Sequence, residues 1–79
     1  MMTNLEKYKQ VFMDSFNIED AELKNLTFQS IPRWDSVGHM ALIAALEDAF
    51  DIMFDMDDII NLDSFDKGQA ILRKYEVEI

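Results

Sequence analysis

The chain has 79 residues, a net charge of −9, 49% hydrophobic and 11% aromatic residues, and no cysteine. That much apolar material suits one folded domain over residues 1–79 with one modest core and argues against disorder, and the absence of cysteine excludes a disulfide framework and thiolate metal ligation. The acidic balance excludes the basic face that nucleic-acid binding requires, and no run is apolar enough for a signal segment or membrane span, so a cytoplasmic monomer is expected.

Thr3 and Glu6 have the spacing of a capping box, and Leu5, Tyr8, Val11, Phe12 and Phe16 recur at helical spacing. Together they predict a first helix from about Thr3 to Phe16. From Asn17 to Arg33 no period persists, yet Ile18, Leu23, Leu26, Phe28 and Ile31 are spread along the segment. This long connection is therefore expected to lie over the core, and Pro32 ends it by disfavouring a helical Ile31. A second helix is predicted from Asp35 or Ser36 to Phe50, and a short third over Met56 to Leu62. The Asp63-Ser64 pair caps a fourth that runs to about Tyr75, and Gly68 inside it implies close helix packing. The fold class is all-α: a small four-helix bundle with a long loop between helices 1 and 2 and a short third helix.

The second helix carries two apolar stripes. His39, Leu42, Ile43, Leu46 and Phe50 fall on one side, wide enough to be the core face. Val37, Met40, Ala41, Ala44, Glu47, Asp48 and Asp51 fall on the other, apolar near Ser36 and acidic farther along. Three other short segments can hardly cover that second stripe, so it reads as a docking face for another protein. The charge distribution agrees. From Trp34 to Asp66 there are nine acids and neither Lys nor Arg, whereas the rest of the chain balances seven acids against seven bases. Such a segment sets up a field that steers cationic partners.

Ser36 lies in the first turn of this helix, where unpaired N–H groups and the positive end of the dipole favour an anion such as a phosphate ester. Asp35 or Ser36 serves as the N-cap. His39 is three residues on, but nothing in the sequence supplies an orienting third group or an oxyanion hole, so no catalytic residue is assigned. A calcium-loop alignment starting at Asp55 places Ile60 where glycine is required, so no metal site is assigned either. Trp34 is expected to be a packing residue at the end of the loop.

The segment "DSVGHMALIAALEDAFDI" resembles the modification-site motif and recognition helix of acyl carrier proteins: Asp-Ser, an apolar residue and, after helical spacing, Leu-Glu-Asp and Phe-x-Ile. The resemblance covers nearly the whole chain in helix order and loop length. It implies a bundle of acyl-carrier-protein type in which Ser36 bears 4′-phosphopantetheine, transferred from coenzyme A by a separate phosphopantetheinyl transferase. The arm would hold an acyl or aminoacyl group as a thioester for delivery between loading and acyl-transfer enzymes with basic docking patches. It also implies a partner face of Asp35, Val37, Met40, Ala41, Ala44, Glu47, Asp48 and Asp51, with Met56 and Ile59 beside it. Ile43, Leu46, Phe50, Phe54, Ile59, Leu62 and Ile71 would line an interior that shelters the cargo, with Phe54 and Ile59 large enough to fill it. His39 is expected half-buried at the bundle mouth, touching the phosphate of the arm.

Gly38, Ala41 and Ala44 stand where fatty-acid carriers often have larger or polar residues. The "WDS" and "VGHM" flanks are more similar to free-standing carriers of specialised pathways, D-alanyl carriers among them. An unmodified acidic helical adaptor, using the same face without the serine hydroxyl, is the alternative.

Overall fold

The helices begin where side chains satisfy the first backbone N–H groups. In the computed structural model, which describes residues 1–79, α1 (Asn4–Phe16) opens with a complete capping box. The Thr3 hydroxyl accepts from the Glu6 N–H at 3.1 Å, and the Glu6 carboxylate accepts from the Thr3 N–H at 2.9 Å. α2 (Ser36–Phe50), α3 (Met56–Asn61) and α4 (Phe65–Lys74) complete an all-helical bundle. α1 and α2 each end on a left-handed residue, Asn17 at φ 54° and Asp51 at φ 53°, residue types that tolerate this conformation. Ser64 caps α4 by accepting from the Lys67 N–H at 2.9 Å. The third and fourth helices stop one residue short of the ends predicted for them, within the usual fraying of a last turn.

The core is aromatic. Tyr8, Phe12 and Phe16 line one face of α1, and Trp34, fully buried at the end of the loop, stacks on Phe16 at 5.3 Å and meets Phe12 edge-on at 5.6 Å. Burying a side chain of this size stabilises by about 3 kcal/mol. The long loop is held over the core by buried Leu23 and Leu26 and by backbone bonds to the α3–α4 junction: Phe28 N–H to the Asp63 carbonyl at 2.8 Å, Phe65 N–H to the Leu26 carbonyl at 3.0 Å. Gly68 is buried where a Cβ would overlap the Tyr8 hydroxyl, which donates to the Phe65 carbonyl at 2.7 Å. Close packing of α4 on α1 thus requires the glycine.

Two members of the expected core stripe of α2 are only half-buried. Leu42, Ile43 and Leu46 are buried, but His39 sits at the open end of the helix and Phe50 at the other, its ring under the Lys7 ammonium at 5.3 Å.

α3 is fastened to the end of α4. The Asp58 carboxylate, buried, accepts from Lys74 at 2.7 Å and from the Tyr75 hydroxyl at 2.6 Å, and the Tyr75 oxygen accepts in turn from the Asp55 N–H at 2.8 Å. These hydrogen bonds hold the Asp58 carboxyl below the usual carboxylate range. One of the nine acids counted toward the steering field is therefore structural. No helix is long and apolar enough to cross a membrane.

Candidate functional site

Asp35 and Ser36 divide the roles that either alone is able to fill. The Asp35 carboxylate is the N-cap, accepting from the Gly38 N–H at 2.7 Å, so Ser36 becomes the first residue of α2 with its hydroxyl left out of the cap. Ser36 is exposed. The turn is tight: a Cβ on Gly38 would overlap the Arg33 carbonyl, a backbone group that has no rotamer to yield. Gly38 is explained by this close approach, which the smoothness of the docking face does not require.

Ser36 opens on a cleft of about 340 Å³ between α2 and α3. Its walls are Phe28 from the loop, Met40 from α2, and Met56, Ile59 and Ile60 from α3, with His39, Leu62 and Asp63 completing it. The two other clefts lie elsewhere on the molecule, and neither touches the serine. Of the residues expected to line an interior cargo space, Ile43, Leu46, Phe54 and Ile71 line no cleft, and Phe50 lines one away from Ser36. The room lies beside the serine rather than within the bundle.

His39 is half-buried at the mouth, and both its ring nitrogens are engaged. Trp34 Nε1–H, which can only donate, donates to His39 Nδ1 at 3.0 Å; Nε2, 2.7 Å from the Ile59 carbonyl, therefore carries the ring proton and donates to α3. Neither nitrogen is left to take the Ser36 proton. The same pairing corrects the expectation that His39 touches a phosphate of an arm: it holds α3 against Trp34 instead.

Most of the expected partner face is where the helical projection puts it. Asp35, Ser36, Ala41, Ala44, Asp48 and Asp51 are exposed, as are Val37 at 80%, Met40 at 55% and Met56 at 72%. Two residues depart. The Glu47 carboxylate turns back to accept from the Phe54 N–H at 2.9 Å, and Ile59 is half-buried against the core. Glu47 thereby satisfies a backbone N–H of the loop between α2 and α3, and Ile59 is the α3 isoleucine that packs against the core. Sequence reasoning missed two exposed apolar residues, Met53 at 82% in the loop between α2 and α3 and Ile60 at 68% on α3, which extend the apolar surface. A six-residue helix is too short for its period to say which of two adjacent isoleucines faces out.

No protein-family model, curated protein or solved structure matches the chain.

Proposed function

We propose that the chain is a carrier of the acyl-carrier-protein type, not itself an enzyme, bearing 4′-phosphopantetheine on Ser36. The observation that carries this is the division between Asp35 and Ser36: with the helix already capped, the serine hydroxyl stands free, exposed, at the positive end of α2 and on the rim of an apolar cleft. A serine whose purpose was to start the helix would accept the backbone N–H that Asp35 accepts.

The residues present fit the group. Ser36 Oγ would attack the phosphorus of coenzyme A that bears the pantetheine, the pyrophosphate bond would break and adenosine bisphosphate would leave. The proton passes to a base on the transferase, since His39 is fully engaged. The first-turn N–H groups and dipole of α2 then stabilise the phosphodiester charge. When attached, the group supplies a thiol that holds an acyl or aminoacyl unit as a thioester.

The surface suits successive partners. Val37, Met40, Ala41, Ala44 and Met56 offer a small exposed apolar patch, and Asp48 and Asp51 rim it with negative charge. Modest contact area with charge steering gives fast association and ready release, which a carrier visiting a transferase, a loading enzyme and an acyl-transfer enzyme in turn requires. In this reading it works as a cytoplasmic monomer in a specialised biosynthetic pathway.

The test is intact-protein mass spectrometry before and after incubation with coenzyme A, magnesium and a broad-specificity phosphopantetheinyl transferase. The expected result is one added phosphopantetheine, lost in Ser36→Ala. A folded protein that gains no mass with any such transferase overturns the reading in favour of an unmodified acidic adaptor using the same face.

A further inference from the structure

The cleft beside Ser36 has a floor and a charge. Leu62 is fully buried at its base, Ile59 half-buried at its side, and the core residues Leu46, Phe54 and Ile71 leave no cleft behind them. At about 340 Å³ the cleft stands at the small end of ligand pockets, so part of an arm and a few carbons exhaust it. Its polar lining is sparse. Both His39 nitrogens are engaged, which leaves the Ser36 hydroxyl and the exposed, acidic Asp63 as the other polar side chains of the lining. Neither α2 nor α3 contains a Lys or Arg, and Arg33, the nearest base before Ser36, lines a different cleft.

We infer that this cleft selects the cargo: a short acyl group without negative charge seats beside Ser36, while long chains and dicarboxylic acyl groups stay in solvent. The inference rests on the carrier reading and adds to it a substrate class. Length is limited by Leu62 and the closed core behind it, because a longer chain has to displace side chains packed at crystal-like density. Sign is set by Asp63 and the missing bases, because a second carboxylate placed in this apolar cleft finds no partner.

The experiment loads the full chain at Ser36 from acetyl-, butyryl-, octanoyl-, palmitoyl- and succinyl-coenzyme A, with intact mass confirming each product. Methyl NMR and the rate of thioester cleavage by hydroxylamine are then read. The butyryl form should shift the methyls of Met40, Met56, Ile59 and Ile60 and cleave severalfold more slowly than butyryl-coenzyme A. Octanoyl and palmitoyl should cause no shift at Ile43, Leu46 or Ile71 and be protected less than butyryl, and succinyl should show neither shift nor protection. Leu62→Ala lowers the floor, so the octanoyl form of that variant should gain protection.

Shifts at Leu46 and Ile71 that grow with chain length would overturn the inference, as would succinyl protected like butyryl. Loaded protein with no shift for any cargo overturns it while leaving the carrier reading intact. Failure of every thioester to load at Ser36 overturns both. Should Leu62→Ala not fold, the wild-type series decides alone.

Discussion

α4 and α2 each bury an apolar stripe and treat the rest of their surface differently. In α4 the apolar residues Phe65, Ile71 and Leu72 are buried, and the charged residues are exposed, with Asp66 in the first turn and Arg73 and Lys74 in the last, where the helix dipole favours them. Every residue of that pattern is accounted for by folding. α2 buries Leu42, Ile43 and Leu46 just as well but leaves Val37, Met40, Ala41 and Ala44 in solvent beside Ser36. The apolar surface that the fold leaves unused is the one the carrier proposal assigns to its partners.

The contrast can be broken most sharply at Ser36. Ser36→Ala should abolish modification completely while shifting stability by no more than about 0.5 kcal/mol, because Asp35 and not Ser36 caps the helix; intact mass and thermal unfolding on the same sample check both halves. On the buried side of the same helix the outcome reverses. Leu46→Ala should cost about 2–5 kcal/mol in chemical denaturation, and the variant, where folded, should still accept the arm. In α4, Gly68→Ala should cost about 1–3 kcal/mol even though alanine favours helix, because the methyl displaces the Tyr8 hydroxyl from its place. On the exposed rim, Asp48→Lys combined with Asp51→Asn, which keeps a residue type suited to the left-handed end of α2, should leave unfolding within about 0.5 kcal/mol and slow transferase association about fivefold at low salt, an effect that high salt removes.

The smallest effect concerns pH. The Lys74 and Tyr75 hydrogen bonds hold the Asp58 carboxyl below its unfolded value, so the stability it contributes is present above about pH 4 and is lost as the pH falls through the lower, folded value. Asp58→Asn should flatten that acid limb of a stability-against-pH curve and leave the neutral region with a constant offset.

What was legible in the sequence was local. The Thr3–Glu6 box, the Ser64 cap, the Gly68 contact and the spans of the four helices follow from spacings of a few residues, as does the placing of Ser36 in a first turn. What was not legible depends on pairs distant along the chain. Asp58 looks like any other acid until Lys74 and Tyr75 arrive from α4; Glu47 belongs to the acidic rim by period but reaches across to the Phe54 N–H; His39 meets Trp34 and Ile59 only once the loop and α3 are in place. Periodicity assigns a side to each Cα and does not say which long polar side chain will bend back to satisfy a backbone group.

The attachments of α3 have a consequence for motion. With six residues it is too short to hold a helical conformation alone, and its fastenings come from elsewhere: His39 of α2 at the Ile59 carbonyl, Lys74 and Tyr75 at Asp58. Hydrogen exchange should therefore find the amides of α3 opening as a unit well before those of α1, α2 and α4, so that the wall beside Ser36 behaves as a hatch hung on two polar hinges in an otherwise closed bundle.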